Sequence, residues 1–481
     1  MTQRCPSSSA STDRYTHAIT ARRDRLLILT GVVLFIIAFE WSYRVLIVPV
    51  WGYFGFVYVD RVAWARAAAW TICILPALWM PIRIVRASQV LYWLLYVTVY
   101  LPSILVPYYL GLQPPFEILS LSIWFLAGFG LIGLIYRVPL PRPVRWKATS
   151  TQFWSITAIL YLSLLVFFLR EWWPHLRLVT FAERYDVRLA SREVNSSLLA
   201  EYSRSWIASV LTPLLIALGL MRKRIVLVVF GAANAVLLYS SSAARVWILV
   251  ALYVPIGFYV LRRRRRAFGA TWLWITCSAF LGCIGLEQAV PGARDVSDLL
   301  LLRVYVVPGF YTGLYSKFFS DHPFTYGSHM KGISLFVDYP YEAPIPFVMG
   351  NYQVGSYDIS ANAHVWAGDG IVSFGNAGIL IVSAALGAVL LLADWCTQHL
   401  DISLAGIVVS AHYANLSNLP LSASLLGGGL LLSVVLLWIM PATLGGPGRR
   451  TSVRRQRHSL PPRAPLSPQK AVATPFSTRA S

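Results

Sequence analysis

The chain has 481 residues, of which 57% are apolar and only 13% are charged, and its mean hydropathy is +0.60. These values exclude an ordinary soluble enzyme and indicate a multi-span membrane protein. The formal net charge of +21 is carried largely by basic segments between apolar windows, a pattern typical of membrane anchoring, so it does not indicate a nucleic-acid-binding protein.

Apolar windows of about 20 residues recur along the chain, which is the length that carries a helix across a bilayer. We therefore predict an all-α integral membrane protein with about twelve transmembrane helices. The predicted spans are approximately 26–41, 62–80, 90–110, 116–136, 153–169, 206–221, 225–238, 246–261, 272–286, 371–392, 402–416 and 422–440. Between the first two spans, residues 43–60 favour an interfacial or re-entrant piece, because Pro and Gly interrupt an aromatic stretch.

Three regions follow from this division. Residues 1–25 are predicted to be a disordered cytoplasmic N-terminus, and residues 441–481 a disordered basic cytoplasmic tail. Residues 26–440 form one predicted membrane domain, with two long charged segments at 170–204 and 287–370.

The distribution of Lys and Arg predicts the orientation. With both termini in the cytoplasm, the cytoplasmic segments hold 27 of the 41 basic residues and four of the 20 acidic residues. Short cytoplasmic loops collect Lys and Arg, so this threading is favoured and it makes segments 170–204 and 287–370 external. The five cysteines have no metal-ligand spacing, and we predict neither a metal site nor a cofactor.

The first of the two long charged external segments, 170–204, contains six arginines and no lysine. A planar guanidinium binds phosphate oxygens in pairs, whereas an ammonium does not, so this choice suggests a diphosphate ligand. Arg184 and Arg188 are four residues apart and would share one face of a helix. The alternative is a solvated amphipathic helix in which five acids pair with these arginines.

Two further arginines are candidates for the same ligand. Arg245 follows three serines at the outer mouth of a span, where a cation needs a carboxylate or an anionic ligand unless it reaches the interface. Arg303 lies within the apolar stretch 299–310, which is suited to the membrane interface and to a lipid-linked substrate.

The segment 311–324 combines aromatic rings with polar groups, the pairing that sugars favour, and Tyr311 and Tyr315 are its candidate contacts. An interfacial aromatic belt would show the same composition. The histidines at 322, 329 and 364 do not match a metal-binding spacing, and a lone histidine is usually structural.

Asp369 stands between Gly368 and Gly370 where the long segment meets the next span. Two glycines let the backbone bend and bring the carboxylate close to a substrate. A cap on the following helix is the structural alternative.

Three stretches, 239–245, 303–319 and 362–378, resemble the Wzy-type oligosaccharide repeat-unit polymerases. The last, Asn-Ala-His-Val-Trp-Ala-Gly-Asp-Gly-Ile-Val-Ser-Phe-Gly-Asn-Ala-Gly, is similar to the asparagine, acid-glycine, Phe-Gly and Gly pattern of that family. The resemblance covers residues 170–378. This chain differs from the family pattern in having bulky residues between Asn362 and the acid.

The resemblance implies a C-type membrane glycosyltransferase of the O-antigen-ligase-like superfamily, in the cytoplasmic membrane of a bacterium. Its donor would be a glycan on polyprenyl diphosphate, and its partners would include membrane lipids, with a flippase and a chain-length regulator as candidates. Asp369, His364 and His322 are the candidates for catalysis. The candidates for substrate binding are Arg184, Arg188, Arg245, Arg303, Tyr311, Tyr315 and Asn362.

Other functions stay open at this point. An O-antigen-ligase-like enzyme would use the same donor with another acceptor. An enzyme that uses sugars on polyprenyl monophosphate usually has an acidic pair in its first external loop, where this chain offers Asp60 and Arg61. A transporter or flippase would carry ionisable residues in mid-span, whereas nearly all charges here are at span ends.

Overall fold

The computed structural model describes residues 9–142, 148–177, 197–290 and 292–446. In these ranges the chain is an all-α bundle with eleven helices long and apolar enough to cross a membrane, and two shorter apolar helices. The helices are α1 (Thr20–Phe54), α2 (Ala63–Leu78), α3 (Ser88–Leu110), α4 (Pro115–Ile135), α5 (Ser150–His175), α6 (Leu198–Arg222), α7 (Ile225–Ser242), α8 (Val246–Arg263), α9 (Phe268–Ala289), α10 (Arg294–Asp321), α11 (Ile345–Val354), α12 (Trp366–Thr397), α13 (Ile402–Leu416) and α14 (Leu421–Ile439).

The protein is therefore a multi-pass membrane protein, as predicted, but some boundaries differ. The apolar helix α1 is preceded without interruption by further helical residues that begin at Ser9, inside the segment predicted to be disordered. It also continues through a π-helical turn at Tyr43–Ile47 to Phe54, where the sequence favours an interfacial piece. Residues 1–8 and the tail from 447 lie outside the described residues.

Helix α3 is at the centre of the bundle. Its most apolar window is entirely buried, whereas the corresponding window of α5 is only 22% buried, so α5 is peripheral. Neighbouring helices meet α3 through aromatic side chains; the rings of Tyr92 and Phe129, for example, lie 4.3 Å apart. At the start of α3, the Asp394 carboxylate accepts hydrogen bonds from the backbone N–H and the hydroxyl of Ser88.

Side-chain contacts fix the relative directions of several helices. Gly31 faces Leu273 and, further along both helices, Phe39 packs on Phe280, so α1 and α9 run in the same direction from their starts to their ends. Helices α4 and α12 also run in the same direction, because Gly128 faces Ile379 and Ile135 faces Gly387. We call the side at which α1 and α3 end, marked by Trp51 and Gln113, the upper face.

Helix α10 differs most from the sequence prediction, because it lies inside the predicted external loop 287–370. Near its start, Asp298 accepts a hydrogen bond from Trp51 Nε1 at 2.9 Å, and near its end Ser316 donates to Gln113 at 3.0 Å. Both partners mark the upper face, so α10 enters and leaves the bundle on the same side. Gln353 of α11 also reaches that side, through a 3.2 Å contact with the Phe54 carbonyl.

Candidate functional site

Helix α12 is broken close to its start. It begins with a π-helical turn, Trp366–Ile371, and loses helical geometry at Phe374 and Gly375. Gly375 has φ +59° and ψ −144°, a conformation that essentially only glycine adopts. Beyond the break, Gly378 lies directly against the Gly370 carbonyl, leaving no room for a side chain. The break separates a short first segment, 366–373, from the long apolar segment that continues to Thr397.

The Asp369 carboxylate lies in this first segment and is only 3% exposed. Its Oδ2 accepts the backbone N–H of Ser422 at 2.9 Å, and its Oδ1 accepts the Ser422 hydroxyl at 2.9 Å. His329 Nε2 is 3.1 Å from the same Oδ1. Asp369 therefore joins the broken helix to the first turn of α14 and to the loop after α10.

That loop also satisfies the backbone groups that the break leaves without helical partners. Thr325 N donates to the Val372 carbonyl at 2.9 Å, and Tyr326 N donates to the Ser373 carbonyl at 3.2 Å. The Thr325 hydroxyl is 2.8 Å from His329 Nδ1, so Thr325, His329 and Asp369 form a continuous hydrogen-bonded chain. Because buried backbone carbonyls need donors, these contacts stabilise the broken geometry.

A pocket of about 220 Å³ with both polar and apolar lining residues opens beside the break. It lies between the start of α4, the last turns of α10 and the residues at the break, and it combines amide, hydroxyl, carboxylate and aromatic groups. Its lining residues are Gln113, Glu117, Ser120, Ser316, Phe319, Ser320, Phe324, Ile371, Gly375 and Asn376. Carboxylate, amide and hydroxyl groups next to aromatic rings are the set expected for a polyhydroxylated ligand.

The three residues predicted for catalysis are not brought together around this pocket. His364 is fully buried: its Nε2 is 2.7 Å from the Thr312 hydroxyl, and its Nδ1 accepts the backbone N–H of Trp366. Burial lowers the pKa of His364 to about 3, so the ring is neutral. His364 thus has the contacts of a residue that caps the start of α12.

His322 is exposed at the end of α10, and its ring stacks on Phe318 with centroids 3.9 Å apart. Its Nδ1 lies 2.9 Å from the Phe318 carbonyl, which makes Nδ1 a donor. His329, which the sequence analysis leaves without a role, instead contacts Asp369. The three histidines therefore have separate partners.

Among the predicted sugar contacts, Tyr315 and Tyr311 are buried in the helix that supplies part of the pocket. The Tyr315 hydroxyl donates to the Ala361 carbonyl at 2.7 Å, so it holds the chain just before Asn362. Asn362 is half-buried. Neither tyrosine nor Asn362 lines the pocket described above.

The predicted arginines are also separated. Arg245 Nη1 donates to the Asp295 carbonyl at 3.1 Å, and Arg245 Nη2 is 3.4 Å from its carboxylate. Arg303 is exposed on α10 and makes no hydrogen bond or ion pair within the part of the chain that the structure describes. It precedes the pocket residue Ser316 by about 20 Å along the helix. Arg184 and Arg188 lie outside the described residues.

Sequence reasoning missed the polar residues of the pocket, above all Glu117 and Gln113. Their local signal is the sequence Gln-Pro-Pro-Phe-Glu at 113–117, in which two prolines start a helix and an acid occupies its first turn. An acid in the first turn of a helix is usually explained by its favourable interaction with the helix dipole. The sequence therefore does not indicate a pocket at Glu117, and only the packing of α10 and α12 around it does.

Comparison with known protein families, with curated proteins and with solved structures finds no match.

Proposed function

We propose that the protein polymerises oligosaccharide repeat units carried on polyprenyl diphosphate, at the outer face of the cytoplasmic membrane. The observation that carries this proposal is the pocket of about 220 Å³ on the upper face of a membrane bundle. It combines a carboxylate with amide and hydroxyl groups, and it is bordered by a helix break of the kind found where membrane proteins bind ligands.

The upper face also provides a place for a lipid-linked donor. Helix α10 enters and leaves on this side, and it carries Arg303 along an otherwise apolar stretch. The exposed guanidinium of Arg303 has no hydrogen-bond or ion-pair partner among the residues that the structure describes. A cation in such a position favours an anionic group held close to lipid. In the proposed orientation the upper face is external, because that threading gives the cytoplasmic segments most of the Lys and Arg.

In the proposed reaction, a hydroxyl oxygen of the acceptor glycan attacks the anomeric carbon of the donor. The bond between that carbon and the diphosphate oxygen breaks, and the diphosphate leaves with the electron pair. The negative charge that develops on the leaving group is stabilised by cationic groups beside it. The proton of the acceptor hydroxyl passes to a base.

Deletion of the gene in the source bacterium tests this proposal. We expect single repeat units linked to polyprenyl diphosphate to accumulate while long polymer disappears, and we expect the wild-type gene to restore the polymer. Unchanged polymer in the deletion strain would contradict the proposal. Long polymer that stays on the lipid carrier and fails to reach its final acceptor would instead identify a ligase.

A further inference from the structure

We propose that Glu117, rather than Asp369, is the base that receives the proton of the acceptor hydroxyl, and that the pocket around it binds the attacking sugar. This inference rests on the proposed function. Among the Asp and Glu residues that the structure describes, Glu117 is the one that lines the pocket. The other described acids of the upper face lie outside that lining.

The two carboxylates have different environments. Asp369 is 3% exposed, and both of its oxygens accept hydrogen bonds from Ser422, with His329 at Oδ1. A substrate hydroxyl would have to displace one of these buried donors. Glu117 is exposed, and it accepts one described hydrogen bond, from Gln113 Nε2 to its Oε2 at 3.1 Å. Its Oε1 accepts none from the described part of the chain, so it is open to a substrate.

Gln113 fixes the position of this carboxylate. Its side-chain oxygen accepts a hydrogen bond from Ser316 at 3.0 Å, which leaves its NH₂ group to face Glu117. Arg61 Nη2 donates to the Gln113 carbonyl at 2.9 Å and holds the backbone in place. Gln113 is only 7% exposed, so the surrounding side chains restrict its movement and keep its amide facing Glu117. A base needs such a fixed position to meet a hydroxyl at hydrogen-bonding distance.

The rest of the pocket suits one sugar ring. Its volume of about 220 Å³ is below the ~300–1,000 Å³ of sites that enclose drug-sized ligands, so it accommodates a ring-sized group. Phe319 and Phe324 offer apolar ring surfaces, and Asn376, just beyond the break, offers an amide. The hydroxyl that attacks would donate to Glu117 Oε1, give up its proton as its oxygen bonds to the anomeric carbon, and leave Glu117 neutral until water removes the proton.

The test uses the full chain in membranes of the deletion strain, with the native lipid-linked repeat unit as substrate. We expect Glu117→Gln to lower the polymerisation rate by ~100-fold or more at wild-type abundance, since general base catalysis contributes about 10² to 10⁴. Glu117→Asp should keep part of the activity. Glu342→Gln is the matched control, because Glu342 is an exposed acid of the same face outside the pocket.

Chemical rescue separates a base from a structural residue. Sodium formate should restore part of the activity of Glu117→Ala, because a small carboxylate can enter the vacated pocket, and it should not stimulate the wild type or Glu342→Ala. A Glu117→Gln protein with activity within about threefold of the wild type would overturn the assignment while leaving the proposed function intact. Failure of formate to rescue an abundant Glu117→Ala protein would count against the role as a base. Unchanged polymer in the deletion strain itself would instead remove the proposed function.

Discussion

Asp369 is a candidate for two roles, the catalytic base and the residue that holds the broken helix in place. Its contacts indicate which variant separates these roles. An asparagine at this position can keep every hydrogen bond: its oxygen accepts Ser422 N–H, and its NH₂ group donates to the Ser422 hydroxyl and to His329 Nε2. The last contact needs the His329 proton on Nδ1, where the Thr325 hydroxyl can accept it. Asp369→Asn therefore removes the charge without leaving a buried group unpaired.

We predict that Asp369→Asn keeps wild-type abundance and stays within about threefold of wild-type activity, because its role is to hold the broken helix. Asp369→Ala should lower abundance, since each buried donor left without an acceptor costs about 1–3 kcal/mol. Chain-length distribution and immunoblots of membranes measure both effects. A loss of ~100-fold in an abundant Asp369→Asn protein would restore Asp369 as the catalytic base.

Arg303 allows a clean test of anion binding, because its side chain is exposed and has no partner in the described ranges. We predict that Arg303→Lys lowers activity by ~10-fold or more at normal abundance, since an ammonium cannot form the paired hydrogen bonds of a guanidinium with a diphosphate. Arg245→Lys should lower activity and abundance together, because Arg245 also contacts Asp295. Normal polymer from an abundant Arg303→Lys protein would place Arg303 outside the site.

For single residues, the sequence predicts which stretch of the chain contributes to the site better than it predicts which side chains contact each other. Gly368 and Gly370 suggest a bend at Asp369, but they lie in the π-helical turn, and the helix breaks further on, at Phe374 and Gly375. Beyond the break, Gly378 packs against Gly370. The partners of Asp369, His329 and Ser422, are 40 and 53 residues away along the chain. No local pattern relates residues at such separations, so only the folded chain identifies them.

The broken helix α12 is the element on which the site depends. A methyl group at Gly378 would lie 2.0 Å from the Gly370 carbonyl oxygen, so Gly378→Ala must push the two segments of the helix apart. We predict a clear loss of thermal stability, corresponding to about 1–3 kcal/mol or more, because the obstructing atom belongs to the backbone.

Gly285→Ala is the matched control, since a side chain there meets open space within helix α9. Alanine favours a helix over glycine by up to about 1 kcal/mol, so this variant should be neutral or slightly more stable. Size-exclusion chromatography of the detergent-solubilised protein after heating measures both variants. Equal melting temperatures for Gly378→Ala and the wild type would contradict the close packing at the break.

Helix α10 shows why the division into elements could be predicted only in part. Its apolar residues are interrupted by Arg303, Lys317 and several small or polar residues, so hydropathy alone indicates an interfacial loop. In the structure these residues form one helix of 28 residues, with 72% of its most apolar window buried. The tight packing against α3, which no single-sequence pattern displays, stabilises it.

For the whole molecule, the all-α class follows directly from composition and window length. The sequence predicts about twelve spans, and the described residues contain eleven helices long and apolar enough to cross a membrane, with two shorter apolar helices. The orientation is predicted from the distribution of Lys and Arg. In that threading α1 and α9 are the first and ninth spans and cross the membrane in the same direction, and their packing is consistent with this. We predict that reporter fusions after Arg266 and after Asp338 lie on the cytoplasmic and external sides, respectively. The same location for both fusions would contradict the threading.

The central claim is that this membrane bundle joins repeat units on their lipid carrier. The most direct measurement is reconstitution of the purified full-length protein in lipid vesicles with the polyprenyl-diphosphate-linked repeat unit of its own bacterium. We predict a ladder of products that differ by one repeat unit, each still attached to the lipid, formed by wild-type protein. A substrate that remains a single unit with folded wild-type protein, under conditions where a known polymerase extends its own substrate, would contradict the claim.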